Sequence, residues 1–204
     1  MPGSRALLLI GLLIVAWHGS AQAQARAGEV LAIKGDCFAE SGGQRRALKL
    51  GDAVAVGDEV KISDAGKLKL RMIDGSVISA ASGSDLTIHS YTADAQHRDV
   101  GLGLAAGLLR AVVAPASQAS RFEVQGATGV AAVRSTDWFV EAKPGSMQVG
   151  VLDGRVALTS TATKREVVIP ARWGARVEGG RDPVPPRVWA RAEFDAVIAR
   201  TDLN

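Results

Sequence analysis

The stretch of the chain that most constrains its fold is residues 67–79. Residues 67–72, Lys-Leu-Lys-Leu-Arg-Met, alternate cationic and apolar side chains. Because side chains in a β-strand point alternately to opposite faces, this pattern is typical of a half-buried strand. Asp74-Gly75 follows, and both residue types tolerate the positive φ angles of a tight hairpin turn. The segment is therefore predicted to be a β-hairpin.

Most of the chain repeats this pattern. From Gly28 onward, short apolar alternations recur about every ten residues with Gly, Pro or Asp between them, which is typical of an all-β domain. Hydrophobic residues make up 47% of the chain and aromatic residues only 4%, so we expect a mainly aliphatic core. Strands are predicted at residues 29–34, 46–49, 58–62, 67–73, 77–79, 85–89, 102–104, 108–113, 122–124, 129–133, 137–141, 148–152, 155–159, 166–169 and 175–178.

The fold class is predicted to be all-β, with short antiparallel strands. No long helical stripe interrupts residues 28–178, so the crossover helices that join parallel strands are not expected. A twisted sandwich, a barrel and a solenoid-like stack are all compatible with this pattern. Residues 72–77 (Met-Ile-Asp-Gly-Ser-Val) resemble residues 151–156 (Val-Leu-Asp-Gly-Arg-Val). Two hairpins with the same turn explain this similarity, and internal duplication is the alternative.

The N-terminus has the features of an export signal. Residues 1–23 contain Arg5, an apolar run over residues 6–16 and the small-x-small sequence Ala21-Gln22-Ala23. Spanning a bilayer takes about 20 apolar residues, so cleavage is favoured over an uncleaved membrane anchor. We expect a periplasmic or secreted protein with no transmembrane segment after cleavage. The net charge is only +3 and no polybasic run is present, so nucleic acid is not an expected partner.

The C-terminus also differs from the β-domain. Residues 179–186 are rich in Gly and Pro, and Pro lacks the backbone amide that pairs in a sheet, so a short extended linker is predicted. In residues 187–201 one helix face carries Ala190, Phe194, Val197 and Ile198. A helix this short needs a surface to pack on. We expect it to fold back onto the sheet; the alternative is binding to a partner or a membrane surface.

Residue types that enzymes commonly use are sparse. After residue 23 the only histidines are His89 and His97, and no Gly-x-Ser-x-Gly motif is present. The single cysteine, Cys37, excludes an intramolecular disulfide and is predicted to be a small buried residue. Residues 101–107 have Gly-x-Gly-x-x-x-Gly spacing without a βαβ unit, so a flexible turn is predicted rather than a dinucleotide site. We expect no catalytic residues, no cofactor and no metal site.

Four segments resemble those of FecR domains in their order and spacing. They are the paired Gly-Asp segment at residues 50–60, the strand and Asp-Gly-Ser turn at residues 67–77, the Val-Arg-Ser-Thr-Asp-Trp-Phe-Val segment within residues 129–140, and the Asp-Gly-Arg-Val segment within residues 151–156. Ser135 stands where the family has Gly. The resemblance covers residues 28–178 and implies a FecR-type β-domain with a periplasmic binding role. FecR-type sensor-regulators also carry a cytoplasmic domain and a spanning helix, which this sequence lacks, so sigma-factor control is not expected.

Two functional hypotheses follow. The first is an exported, non-enzymatic FecR-type module that binds an envelope protein in signalling. The second is a carbohydrate- or cell-wall-binding module. Alternation along the strand that starts at Arg134 places Arg134 and Trp138 on one face, where they either belong to the core packing or line a ligand groove. Trp173 and Trp189 are interpreted as packing residues, and the alternative is that they are contacts of a sugar platform, which requires neighbouring exposed rings.

Overall fold

The computed structural model of the protein describes residues 24–94, 97–116 and 120–203. The predicted export signal, residues 1–23, lies outside the described residues. Within the described ranges the chain forms 17 strands and one helix. They are β1 (Arg26–Lys34), β2 (Cys37–Ser41), β3 (Gln44–Ala47), β4 (Ala53–Ala55), β5 (Glu59–Ile62), β6 (Lys67–Met72), β7 (Val77–Ala80), β8 (Asp85–Ala93), β9 (Arg98–Val112), β10 (Ser120–Gln125), β11 (Gly129–Val133), β12 (Asp137–Lys143), β13 (Ser146–Asp153), β14 (Arg155–Ser160), β15 (Glu166–Pro170), β16 (Trp173–Glu178), β17 (Arg187–Val188) and α1 (Arg191–Thr201).

The strands form two sheets that pack face to face as a sandwich. The sheet with the order β4-β1-β6-β7-β9-β12-β13-β16-β17 is called the covered sheet, because α1 packs on its outer face. The other has the order β3-β2-β5-β8-β9-β10-β11-β14-β15 and is called the open sheet. Strand β9 belongs to both, since residues 98–106 pair in the open sheet and residues 107–112 in the covered sheet. The predicted all-β class is confirmed.

The core lies between the two sheets and is mainly aliphatic. Leu70 and Ile78 of the covered sheet are buried together with Leu86 and Leu102 of the open sheet. In β6 every second residue is buried, which confirms the alternation predicted for residues 67–72. Full burial of such a side chain contributes about 1.5–3 kcal/mol to the free energy of unfolding. The hydrophobic pattern therefore determines which face of each strand points inward.

Strand β9 corrects one expectation from the sequence. Residues 101–107 form the middle of this 15-residue strand and are not a flexible turn. A Cβ atom at Gly101 would lie 2.8 Å from Ser90 Oγ in β8, and Gly107 has a φ angle of +97° where the strand passes from one sheet into the other. The glycines thus allow close packing and a bend. Strand β9 also pairs in parallel with β10, so this pair departs from the predicted antiparallel arrangement.

The two Asp-Gly segments differ in topology. Asp74-Gly75 joins β6 to β7, which are paired neighbours, so the predicted hairpin is confirmed. Asp153-Gly154 instead leads from β13 in the covered sheet to β14 in the open sheet. The prediction of two hairpins with the same turn is therefore wrong. Strand β13 pairs within the covered sheet and β14 within the open sheet, so the turn between them is a corner of the sandwich.

Strands β2 and β4 were not predicted from the sequence. Both are short, and neither shows more than one or two apolar residues in alternation. Cys37 begins β2 and is buried, as expected of a small core residue. Burial raises the pKa of its thiol to about 11, with a smaller contribution from the charge of Asp36. The thiol is thus held in its protonated form at neutral pH.

The C-terminal helix folds back onto the covered sheet, as expected. Residues 187–188 pair with β16 as a short strand, so α1 begins at Arg191 rather than at the predicted residue 187. Phe194 and Val197 are buried against Phe139 and Trp189, and the ring centroids of Phe139 and Trp189 lie 5.1 Å apart. Among the residues that the structure describes, no helix is both long enough and apolar enough to cross a membrane.

Two facing glycines make room for these aromatic rings. Gly150 of β13 and Gly174 of β16 are cross-strand partners. A Cβ atom at Gly150 would collide with the ring of Phe139, and one at Gly174 would collide with the ring of Trp189. The outer face of the covered sheet is therefore flat where the rings and α1 pack on it.

The cationic face of β6 holds the end of α1. Lys67 Nζ donates hydrogen bonds to the carbonyl oxygens of Ala199 at 2.8 Å and Asp202 at 3.1 Å, and Lys69 Nζ donates to that of Leu203 at 2.9 Å. The last carbonyls of a helix have no intrahelical donor, and the helix dipole is negative at this end. The same alternation that forms the strand therefore places two lysines where the helix ends.

Candidate functional site

A wide groove lies on the outer face at one end of the open sheet. It has a volume of about 650 Å³ and is found where β10 begins, β11 ends and β14 begins. Its lining includes three arginines, a floor of small apolar residues and the corner segment that joins β11 to β12. The lining residues are Ser120, Arg121, Phe122, Ala132, Val133, Arg134, Ser135, Thr136, Gly154, Arg155, Ala157 and Val168.

The floor of the groove is one row of the pleated sheet. Ala132 of β11 is the cross-strand partner of Glu123 on one side and of Ala157 on the other, and Ala157 is the partner of Val168 in β15. Cross-strand partners point to the same face, so these side chains form a line across the strands. Because the line contains two alanines, the outer face dips between the taller side chains. Val168 is 54% exposed at the end of the line.

Arg134 and Arg155 form one wall of the groove. Arg134 directly follows the end of β11 and Arg155 begins β14, each two residues beyond the cross-strand pair Ala132 and Ala157, and both line the groove. Both side chains are exposed, and neither has an ion pair or a side-chain hydrogen bond to any described residue. Arg121, by contrast, contacts Glu123 at 3.0 Å and Asp99 at 3.7 Å. Two guanidinium groups of the groove lining thus have no counter-charge among the residues that the structure describes.

A buried arginine fixes the backbone at this wall. The Arg98 side chain is 3% exposed, and its Nη2 donates to the carbonyl oxygen of Arg134. Its Nη1 donates to the carbonyl oxygen of Ala114 at 2.7 Å and to Asp74 Oδ2 at 3.1 Å, and its Nε donates to Ser120 Oγ at 2.9 Å. One guanidinium group therefore joins the end of β11, the start of β10, the end of β9 and the β6–β7 turn.

Asp74 supplies the charge that balances Arg98. Its carboxylate accepts hydrogen bonds from the Ser76 amide at 2.9 Å, the Ser76 hydroxyl at 2.8 Å and the Tyr91 hydroxyl at 2.8 Å. Burial alone would raise the pKa of Asp74, but these hydrogen bonds and the one from Arg98 hold it below its ordinary value. Burial, together with the charge of Asp74, raises the pKa of Tyr91. The network keeps a charged pair in the interior next to the groove.

The structure separates the candidate site residues named from the sequence. Arg134 lines the groove, whereas Trp138 has 0% exposure and lies in the core between the sheets, so its ring cannot contact a ligand there. Trp189 is buried between Phe139 and Phe194 under α1, and Trp173 is 36% exposed on the covered sheet. Trp138, Trp173 and Trp189 therefore do not form a shared exposed platform.

Sequence reasoning missed Arg98 and Arg155. No strand was predicted between residues 89 and 102, although Arg98 starts the alternation that continues through Val100, Leu102 and Leu104, all of which are buried. That alternation was the available signal. Arg155 gains its role from the pairing of β11 with β14, which are separated by two other strands in the chain. Pairing between strands that are distant in the chain has no signature in the sequence of either strand.

The arrangement suits binding of an anion. The guanidinium groups of Arg134 and Arg155, which line the same groove, can each donate paired hydrogen bonds to a carboxylate or phosphate. His89 and His97 are exposed, and neither contacts a serine or threonine hydroxyl within the described ranges. In that same part of the chain, no group of three or more His, Cys, Asp or Glu residues could hold a metal ion.

Comparisons with known proteins place this geometry in context. The family described as "FecR protein" matches residues 58–157. Two crystal structures of a "putative anti-sigma factor" from Parabacteroides distasonis ATCC 8503, at 1.65 Å and 2.50 Å resolution, share the fold, each with a TM-score of 0.56 and 16% sequence identity. In both cases the match covers 68% of this chain, and it covers 63% and 62% of the length of the Parabacteroides chains. No curated protein was found to match the chain.

Proposed function

The chain carries a FecR domain, and from this premise we propose that it is an exported, non-enzymatic binding module that acts in signalling in the cell envelope. The groove on the open sheet is its contact surface. The observation that carries the proposal is the pair Arg134 and Arg155, two exposed guanidinium groups without a counter-charge in the described chain, on the wall of a groove whose backbone is held by Arg98. Charges left unpaired beside a rigid concave surface favour recognition of a ligand.

Export is the second part of the proposal and is supported by the sequence. Residues 1–23 combine one early cation, a short apolar run and a small-x-small site. The protein then acts in the periplasm or outside the cell. A periplasmic FecR domain contacts envelope proteins there and meets no nucleic acid.

The carbohydrate-binding alternative gains no support from the tryptophans. Stacking on a sugar requires an exposed ring face, and Trp138 and Trp189 are buried while Trp173 stands apart from the groove. A glycan partner would therefore have to use the polar wall of the groove alone. A protein partner also uses the small apolar floor.

Site-specific photo-crosslinking in the producing cells tests this function. A photoreactive amino acid replaces Ala157 on the groove floor in the full-length protein, and the matched control replaces Leu50, which is 70% exposed in the connection between β3 and β4. We expect a discrete crosslinked product with an envelope protein from position 157 and none from position 50. Identical products from both positions, or products containing only glycan, would overturn the proposal.

Fractionation of the same cells tests export. We expect the periplasm or the medium to contain a chain shortened by the 23 residues of the signal, as measured by mass spectrometry of the intact protein. Recovery of the full-length chain in the cytoplasm would contradict export. It would leave the crosslinking result on the groove unaffected, so the two parts of the proposal fail separately.

A further inference from the structure

The groove also indicates the chemistry of its ligand, and this inference rests on the function proposed above. We infer that the groove binds a short, extended, acidic segment of a protein partner, with Glu or Asp carboxylates held by Arg134 and Arg155. A carboxylate has the planar two-oxygen geometry that a guanidinium group binds through two parallel hydrogen bonds. Arg121 does not share this role, because Glu123 and Asp99 already contact it.

The size of the groove agrees with an extended peptide. The groove extends from β10 to β15, which is three inter-strand spacings, or about 14 Å. About four residues of extended chain cover that distance. Ala132 and Ala157 leave room for the backbone of such a segment to lie against the sheet, and Val168 offers an apolar contact at the far end.

The surroundings favour a peptide over an anionic membrane surface. Glu123 and Asp99 lie next to the groove on the same face, and Glu166 lies on the outer face of β15. A flat, uniformly anionic surface would meet these carboxylates as well as the arginines. A narrow segment can place its own carboxylates against Arg134 and Arg155 while it avoids the acidic residues.

Binding of labelled peptide libraries to the purified protein tests the inference. One library contains hexapeptides with Glu or Asp at alternate positions, and the second has Gln or Asn at those positions. Vesicles containing phosphatidylglycerol form a third arm. We expect the acidic library to be retained, the amide library to be lost and the vesicles not to bind. We also expect that added salt weakens retention, because the contact is between charges.

Charge-removing variants locate the site. Arg134→Gln and Arg155→Gln are each expected to weaken binding of the best acidic peptide about tenfold, since each removes a charge-assisted contact. The matched control is Arg165→Gln, because Arg165 is also exposed and unpaired in the described chain but lies outside the groove. The affinity of the Arg165→Gln variant for this peptide should change by less than about twofold. All three variants should retain the unfolding temperature of the parent, since none of the three side chains has a partner among the described residues.

Several outcomes would overturn the inference. They are equal retention of the two libraries, no retention of either, an equal loss of affinity in Arg165→Gln, and binding of vesicles without binding of peptides. If crosslinking from position 157 succeeds while the acidic library fails, the groove remains a partner site and only the acidic chemistry is rejected. If crosslinking also fails, the proposed function falls with it.

Discussion

The two Asp-Gly turns have nearly the same sequence and opposite structural requirements. In the β6–β7 turn the Asp74 side chain is 8% exposed and accepts hydrogen bonds from Ser76, Tyr91 and Arg98. In the β13–β14 corner Asp153 is exposed and its carboxylate has no partner in the described chain. The aspartate is therefore a structural centre in the first turn and a surface residue in the second.

For the glycines the requirement is reversed, because it is stricter in the second turn than in the first. Both have positive φ angles, +82° at Gly75 and +90° at Gly154. A Cβ atom at Gly75 would meet only the Ala114 side chain, at 4.0 Å, whereas one at Gly154 would lie 2.8 Å from Thr136 Oγ1 and 2.9 Å from the Ser135 carbonyl oxygen. The Asp and the Gly of the two turns thus differ in importance, because the packing around each turn decides which of the two residues cannot be replaced.

Both turns support the groove. Gly154 lines it directly, beside Ser135 and Thr136 of the corner segment. Asp74 acts through Arg98, which binds the carbonyl oxygen of Arg134. Loss of either support is expected to change the position of the arginine wall, so the comparison between the turns can be tested through stability and through peptide binding.

The largest expected effect is from Arg98→Met. This change removes a buried cation and leaves the Asp74 carboxylate without its charge partner in the interior. Breaking a buried pair in this way lowers the free energy of unfolding by about 3–5 kcal/mol. Urea denaturation measures the loss. A loss below about 1 kcal/mol would show that the Asp74–Arg98 network around the first turn contributes little to stability.

Asp74→Asn should have the second largest effect, about 2–3 kcal/mol, because it keeps the shape but removes the charge that Arg98 requires. The folded state lowers the pKa of Asp74 below the ordinary value of 3.8, so this stabilisation is present above that pH and is lost as the pH falls through the lower folded-state pKa. The difference between parent and variant should therefore shrink below about pH 4. Urea denaturation from pH 7 to pH 2.5 checks this, and a difference that grows toward acid would contradict the assignment.

Gly154→Ala is expected to lower the free energy of unfolding by about 2 kcal/mol. The alanine must adopt a positive φ angle and its Cβ must displace Thr136 or the Ser135 carbonyl. Because Gly154 lines the groove, binding of the acidic peptide should also weaken. Thermal unfolding and peptide binding measure the two effects, and an unchanged variant would remove the distinction between the turns.

The sequence alone predicted much of the fold. Period-two alternation identified β6, the Asp74-Gly75 turn placed β7 after it, and the Gly-Pro segment was predicted to separate α1 from the strands. Strand β9 was predicted as two strands, residues 102–104 and 108–113, because the glycine-rich residues 101–107 were interpreted as a flexible turn. Gly101 is instead required by the close approach of Ser90 on the neighbouring strand. Contacts between strands decide such cases, and a linear pattern does not contain them.

The site was less predictable than the fold. Arg134 was identified through a family motif, but its neighbour Arg155 depends on the pairing of β11 with β14. Arg98 and Asp74 are separated by 24 residues in the chain, so their ion pair has no local signature. Trp138 shares the motif with Arg134 yet lies in the core, because the chain bends after β11 before β12 begins.

Gly75→Ala tests the difference between the two turns and is expected to cost less stability than Gly154→Ala. The alanine meets open space, so the expected loss of about 1 kcal/mol comes from the positive φ angle alone. Peptide binding should be unchanged, since Gly75 does not line the groove. A loss equal to that of Gly154→Ala would mean that backbone conformation dominates both turns and that the packing difference is unimportant.

The smallest effect is expected from Asp153→Asn. The carboxylate is exposed and unpartnered in the described chain, so its replacement should change the free energy of unfolding by less than about 0.5 kcal/mol. Together with Asp74→Asn it forms a matched pair, in which the same chemical change is made at the same position of the same motif. Urea denaturation of the two variants at pH 7 gives the ratio of their losses in the free energy of unfolding. If Asp153→Asn were as harmful as Asp74→Asn, the requirement would lie in the Asp-Gly sequence itself, and the role assigned to Arg98 in the first turn would be wrong.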